Sequence, residues 1–247
     1  MNKAKKTAEY IQAADKILAL TGAGMSTNSG IPDFRSEGGL YDRTEKLGLG
    51  RENVLSHSFF KNNQELAYKY LRKNPFKDAK PNYAHLFLAK LENYGKDITI
   101  VTQNIDNLHQ EAGSSKVIEL HGSIKRWRTI DRSSYLSDTE VQYRDDGIAV
   151  NKDGEQVRPD VVLFGESLDA ENISKAIKVF SEADLLFILG TSLEVYPAAS
   201  FIKYFRGEKI IVVNKGKPQR SLDIDIYANT DLVKFFKEVS TYLEANK

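Results

Sequence analysis

The sequence predicts an α/β fold, a doubly wound parallel sheet carrying a small inserted module, in one domain over residues 1–247. Three observations predict it. Short apolar runs at 17–20, 98–101, 185–189 and 209–213 are too brief for helices and continuous rather than alternating, as in strands buried on both faces. Each opens into a polar turn, and helical patterns fall between them, the recurrence expected of a parallel sheet. The stretch 125–158 breaks that rhythm with Arg, Asp, Ser and Lys and only isolated apolar residues, so it reads as an excursion from the core.

Composition bounds the class. With 247 residues, 41% hydrophobic and 28% charged, the chain is long enough and ordinary enough for a soluble globular domain with a real core. A net charge of +1 gives no ground for a nucleic-acid partner or an acidic surface partner. No apolar run approaches membrane-spanning length, and the charged start 1–10 lacks the apolar centre of a signal peptide, so a cytoplasmic protein without a membrane partner is expected. The absence of cysteine rules out disulfides, a cysteine nucleophile and any thiolate metal site.

In chain order, 3–15 reads as an amphipathic helix with Ala8, Ile11, Ala13 and Ala14 near one face. The strand 17–20 feeds a loop in which Gly22, Gly24 and Gly30 allow close backbone approach, while Ala23, Ser26, Thr27 and Ser29 bring amide and hydroxyl donors. This is the inventory of a phosphate cradle. It is equally that of a tight strand-to-helix connection, since GAGMSTNSG is not the G-x-G-x-x-G fingerprint. Pro32-Asp33-Phe34-Arg35 then puts an acid, an aromatic face and a guanidinium just after the loop. Residues 38–63 show no sustained period, and 64–73 reads as a helix with Leu66, Tyr70 and either Ala67 or Leu71 inward.

Pro81 starts a helix through Ala84, Leu86, Phe87, Leu88 and Leu91 that stops at Tyr94-Gly95. Strand 98–101 runs into the polar cluster 102–109, at the carboxyl end of a buried strand, where open α/β sheets bind ligands. A strand at 116–120 leads to His121-Gly122-Ser123. Within the excursion, 141–143 and 148–150 around Asp146-Gly147 suggest an antiparallel hairpin. The main pattern resumes at 161–164, followed by Gly165-Glu166. A helix at 170–183, strand 185–189 opening into Gly190-Thr191-Ser192, a helix at 198–204, strand 209–213 opening into Asn214-Lys215, and a helix at 230–246 complete the chain.

Six stretches, GAGMSTNSGIPDFR, TQNIDNLH, ELHGS, RPDVVLFGE, GTSLEVYPAA and VVNK, stand in the order and at the separations of the sirtuin family, and over nearly its whole length the chain resembles those NAD-dependent protein deacylases. The resemblance implies a Rossmann-like sheet, NAD as co-substrate, and an acyl-lysine protein as partner, with a monomer expected. Gly22, Ala23, Gly24 and Thr27 would hold the pyrophosphate, with Phe34 and Arg35 on the loop covering the nicotinamide end and 38–75 as a helical and loop segment over the cofactor. Asp33 reads as a cofactor-side acid or as a turn carboxylate. Gln103 and Asn104 would meet the nicotinamide ribose, and Ile105 and Asp106 the carboxamide. Gly190, Thr191 and Ser192 would meet the phosphate or adenosine side, Asn214 and Lys215 the adenine ribose, and Asp231 the adenine. Val161, Leu163, Phe164, Gly165 and Glu166 would form the edge on which an acyl-lysine peptide pairs its backbone.

The implied catalytic set is Asn104, Asp106 and His121, with His121 as general base. His109 would cap or orient the 104–106 loop rather than catalyse, and His57 and His85 read as structural or surface residues. The implied reaction releases nicotinamide and O-acyl-ADP-ribose; ADP-ribosyl transfer or NAD hydrolysis needs the same cofactor site and stays open. Most sirtuins hold zinc on two cysteine pairs, and the matching positions here, Thr129, Arg132, Val150 and Asp153, are neither thiolates nor imidazoles, so zinc is not expected. Trp127, Tyr135, Val141, Tyr143, Ile148, Val150 and Val157 would hold the insert as a small apolar core leaning on the rest. The Tyr and Arg that mark acidic-acyl preference in some relatives are not matched in spacing by Tyr68 and Arg72, so simple acyl groups are expected.

Overall fold

The computed structural model describes residues 2–33, 55–72, 76, 78–194, 196–218 and 222–245, with the side chains of Tyr70 and Arg72 excepted. Six strands, β1 (Lys16–Thr21), β2 (Asp97–Thr102), β3 (Val117–Glu119), β9 (Leu185–Leu189), β10 (Lys209–Val213) and β11 (Ile226–Ala228), form one sheet in the order β11-β10-β9-β1-β2-β3. Every pairing in it is parallel. From β1 the chain winds outward through β2 and β3, then crosses back to β9 and winds the other way. The direction reverses between β1 and β9, and that reversal opens a crevice at the carboxyl ends of those two strands.

Apolar layers cover both faces. On one, α1 (Lys3–Ala13), α4 (Tyr83–Asn93) and α7 (Leu232–Glu244) pack on Ile17, Ala19, Phe187 and Val213. The first of these is capped by Asn2, whose Oδ1 accepts Lys5 N–H at 3.0 Å, and it buries Ala4, Thr7, Ala8 and Ile11, one helical face. On the other, α6 (Ala170–Glu182) and a 3₁₀ segment (Ala198–Tyr204) pack on Leu18, Leu20, Leu186 and Ile188. Strands covered twice need apolar residues at successive positions, which is why β9 is buried throughout.

The remaining described strands are β4 (Gly122–Thr129), β5 (Tyr135–Ser137), β6 (Gln142–Tyr143), β7 (Ala149–Val150) and β8 (Val157–Val161). Here the structure departs from the expected pattern. The run 161–164 does not return to the main sheet: β8 pairs antiparallel with β4 in a separate sheet ordered β5-β4-β8, and Phe164 bridges to Ser56. An apolar run signals burial but not its partner. The hairpin around Asp146-Gly147 forms as β6 and β7, with Gln142 opposite Val150.

Two short helices, α2 (His57–Asn62) and α3 (Gln64–Arg72), close over this sheet. Trp127, Ile148 and Val157 share a cluster with Phe60, Ala67 and Tyr68, whereas Tyr135 and Tyr143 stay exposed. Ala67 faces inward as expected, but its companion is Tyr68 instead of Leu66: the Tyr68 hydroxyl donates to Val157 O at 2.6 Å and Leu66 is 42% exposed, while the Tyr70 side chain lies outside the described residues. In α4, Asn82 caps the helix by accepting Ala84 N–H, so Pro81 precedes the cap instead of standing in the first turn, and Leu86 is exposed where His85 is buried. Ala198–Tyr204 is 3₁₀ rather than α-helical, and β11 is too short to be read from its three residues.

His85 packs at the floor of the sheet against the buried His109 of α5 (Leu108–Glu111), their ring centroids 4.8 Å apart. Desolvation lowers the pKa of His85 to about 4 and that of His109 well below its ordinary range. The unfolded chain takes up protons near pH 6.5 while these folded imidazoles do not. Stability should therefore be full above pH 6.5 and fall as the pH drops toward 4, by roughly 3 kcal/mol for His85 alone. Urea unfolding at pH 7.5 and 4.5 checks this, and equal stabilities would contradict it.

Candidate active site at the reversal of the sheet

The crevice deepens into a cavity of 860 Å³. Its floor is built where two loops touch. After β1, Gly22 N–H donates to Leu189 O (3.0 Å) and Gly24 N–H to Gly190 O (2.9 Å). Gly190 sits at φ 60°, and a Cβ there would lie 2.4 Å from Met25 N. A Cβ on Gly24 would lie 2.8 Å from the Gly190 Cα. These glycines are thus required by the other loop, before any ligand is considered. Asn82 holds the loop from behind, its Nδ2 donating to Met25 O at 2.8 Å and Ser29 Oγ at 3.0 Å.

Beyond β2, Gln103 continues the strand by donating its N–H to Thr21 O, and its Nε2 donates to Thr191 Oγ1 at 3.2 Å. Asn104 Nδ2 donates to Gly22 O and Ser26 Oγ, both at 3.1 Å, while Ser26 Oγ–H donates to Asp106 Oδ2 at 2.7 Å. Asp106 Oδ1 accepts Leu108 N–H at 3.0 Å. Burial outweighs these two bonds and raises the Asp106 pKa above the usual carboxylate range.

His121 leaves β3 on the same wall. Its Nδ1 lies 2.8 Å from Gln103 O. A carbonyl only accepts, so Nδ1 carries the proton and Nε2 keeps the basic lone pair. Desolvation lowers the His121 pKa against the raising effect of that bond, which holds the ring neutral at pH 7.

The cavity brings together every expected site residue within the described part of the chain. Gly22, Ala23, Gly24, Thr27 and Asp33 line it from the first loop, Gln103, Asn104, Ile105 and Asp106 from the second, and His121 from the third. Gly190, Thr191, Ser192, Asn214, Lys215 and Asp231 line the far end, and Val161, Leu163, Phe164, Gly165 and Glu166 the mouth. Phe34, Arg35 and all of 38–54 lie outside the described residues. Asp231 caps α7 by accepting Lys234 N–H at 3.1 Å, and both its oxygens accept Asn28 Nδ2–H at 2.9 Å. Glu166 is committed within the protein, to Arg158 Nη2 (2.6 Å), His57 Nδ1 (2.8 Å) and Leu163 N–H (3.0 Å), which together lower its pKa to about 2 despite desolvation. One stretch of the lining is apolar, with Phe60, Ala67, Leu71, Ile105 and Ile124, and Arg158 stacks over Phe60 at 5.3 Å.

Sequence reasoning gave Ser26 no role beyond donor, yet it links Asn104 to Asp106; nothing but its place in the glycine loop signals that. Arg158 was likewise only a landmark. In the insert, Val150 is buried in β7 and offers no donor, and Arg132 is a cation at φ 64°. Thr129 Oγ1 accepts Ser134 N–H at 3.1 Å, and Asn151 Oδ1 accepts Asp153 N–H (3.0 Å) and Glu155 N–H (2.9 Å). This donor set does not fit a tetrahedral zinc site.

Residues 22–197 match the Sir2 family. An NAD-dependent protein deacetylase of Clostridium acetobutylicum is 44% identical over 97% of this chain and 98% of its own. The corresponding protein of Clostridium perfringens is 42% identical over 96% and 98%, and that of Staphylococcus aureus strain Mu50 38% over 94% and 95%. Among solved structures, a complex of Sir2 with a p53 peptide and NAD+ superposes with a TM-score of 0.85 at 35% identity, covering 99% of both chains. Sir2 bound to acetylated peptide also gives 0.85, at 33% identity over 99% of both. With that match across most of its length and relatives of this identity along nearly all of it, the chain belongs to the Sir2 family.

Proposed function

We propose that this protein is an NAD-dependent protein-lysine deacetylase that releases nicotinamide and passes the acyl group to ADP-ribose. The observation that carries the reading is the neutral His121, its lone pair on Nε2, on the same cavity wall as Asn104 and Asp106. NAD supplies the bond between nicotinamide and ribose C1′, whose cleavage opens C1′ to the acyl oxygen of the modified lysine. The chain's own residues do the rest. Gly22, Ala23, Gly24 and Thr27 receive the pyrophosphate, and the Gly190–Ser192 and 214–215 loops with Asp231 receive the adenosine end. Asp106, dry and raised in pKa, holds the carboxamide with the backbone of Ile105. Gln103 and Asn104 orient the ribose, and His121 Nε2 takes a proton from a ribose hydroxyl.

The acyl-lysine enters at the mouth. Phe164 spends both backbone groups on Leu55 and His57, whereas the Val162 carbonyl and both Gly165 groups have no partner among the described residues, and these receive the peptide backbone. The apolar wall suits an aliphatic lysine stem bearing a small uncharged acyl group. Tyr68 cannot meet an acidic one, because its hydroxyl is buried on Val157 O outside the cavity lining. We also infer that the insert stands without zinc, on the hydrogen-bonded turns at Thr129 and Asn151 and the cluster around Trp127. All these groups come from one chain, so a monomer suffices, and consumption of NAD sets the reaction in the cytoplasm. Among the described residues no helix is long and apolar enough to cross a membrane.

Nicotinamide release from NAD should require an acetyl-lysine peptide; release at the same rate without peptide would assign the site to ADP-ribosyl transfer or hydrolysis instead. His121→Ala should cut deacetylation by roughly 100-fold or more while NAD still binds in a calorimeter, and normal turnover in that variant would remove His121 as the base. Melting temperature and activity should be unchanged after dialysis against a zinc chelator. A loss restored by zinc would overturn the metal-free insert.

A further inference from the structure

Beneath the cavity floor a continuous line of buried side chains, none used by the reaction above, runs from α4 to the backbone of Asn104. Its members are His85, His109, Thr21 and Thr102, all buried. The direction of each bond can be assigned. Asn82 N–H donates to His85 Nδ1 at 3.3 Å, so His85 carries its proton on Nε2. Thr21 Oγ1–H donates to Thr102 Oγ1 at 2.9 Å, so Thr21 must accept from His109, whose Nε2 lies 3.0 Å away and therefore bears the proton. His109 Nδ1 is then bare. The two nitrogens left over, His85 Nε2–H and His109 Nδ1, are a donor and an acceptor, both buried without a hydrogen-bond partner, on rings in edge contact. At the other end Thr102 Oγ1 accepts Asn104 N–H at 3.0 Å.

A buried imidazole costs more than an apolar filler of its size unless its nitrogens are used. Here one of them decides where a hydroxyl proton goes. With His109 donating to its oxygen, Thr21 has one proton and directs it at Thr102, which keeps a Thr102 lone pair on the Asn104 N–H. The Asn104 side chain, held in front by Gly22 O and Ser26 Oγ, is thereby held from behind through its own backbone.

We propose that His109, supported by His85, is a positioning residue that fixes Asn104 through the Thr21–Thr102 hydroxyl pair. The proposal rests on the deacetylase reading for its kinetic consequence, but not for its structural one. His109→Gln keeps an N–H donor near the Nε2 position; His109→Leu keeps only volume. Thr102→Val removes the acceptor at nearly constant shape, and Thr102→Ser retains it.

The experiment takes the full chain and measures kcat and KM for an acetyl-lysine peptide together with hydrogen exchange at the Asn104 amide, on variants whose melting is first checked. His109→Leu and Thr102→Val should lower kcat about tenfold or more with little change in KM, as small misplacements do, and should speed exchange at Asn104. His109→Gln and Thr102→Ser should recover most of both. Equal effects of Leu and Gln at 109, or unchanged exchange in Thr102→Val, would reduce the line to core filling. If His109→Leu does not fold, the Thr102 pair carries the comparison. If wild type shows no peptide-dependent turnover, the deacetylase reading fails, and the exchange measurements alone still decide the positioning role.

Discussion

The structure depends on one backbone contact, the crossing of the Gly22–Gly24 and Gly190 loops at the reversal of the sheet. It exists only because three Cβ atoms are missing and one residue takes a left-handed torsion. That contact sets how far apart β1 and β9 can open, and so the width of the floor. It also spends the Gly22 and Gly24 amides across the crossing, and turns within the loop spend those of Met25, Ser26, Ser29 and Gly30, so backbone donors for an anion must come from Ala23, Thr27 and Asn28. Asn104 then reads the loop's position directly, through the Gly22 carbonyl.

The same dryness acts on the two titrating residues of the site in opposite senses. Removing water penalises whichever form is charged, so Asp106 is pushed up and His121 down, and both are drawn toward neutrality. At the rim the balance reverses. Glu166 and Asp231 are surrounded by enough donors to stay ionised, and both serve to tie elements together: Glu166 joins β8 to α2 through Arg158 and His57, and Asp231 joins α7 to the glycine loop through Asn28. Charge therefore frames the cavity and is kept out of its centre.

Much of this was legible in the sequence because parallel strands buried on both faces write themselves as unbroken apolar runs, and β1, β2, β9 and β10 do so. Polar turns after such runs place ligand loops at one end of the sheet by topology alone, whereas the roles of Gln103, His121, Thr191 and Asn214 within those loops came from the family resemblance. What failed was partner choice. Val161–Phe164 looks like another central strand, yet Val161 ends β8 opposite Gly122 of β4 and Phe164 bridges to Ser56, partners that no local pattern declares. Tyr68 was missed because burial of its ring is decided by the insert, where its partner Val157 lies 89 residues away in sequence. Ser26, Thr21 and Thr102 were invisible for a related reason: a hydroxyl's partners are set by tertiary contact, and Ser and Thr are common in any loop.

The pairing of Ile17 with Leu185 has a consequence for biosynthesis. β1 lies at the centre of the sheet, but one of its two neighbours is about 170 residues further on. At roughly 5 to 20 residues per second, a ribosome leaves that apolar edge open for on the order of 10 to 30 seconds. An unpaired strand of Ile-Leu-Ala-Leu is a template for wrong partners. A nascent chain of this protein thus carries an open apolar edge until β9 is made, and α1 cannot complete its own packing before then, because α7 and β11, against which it lies, are made later still.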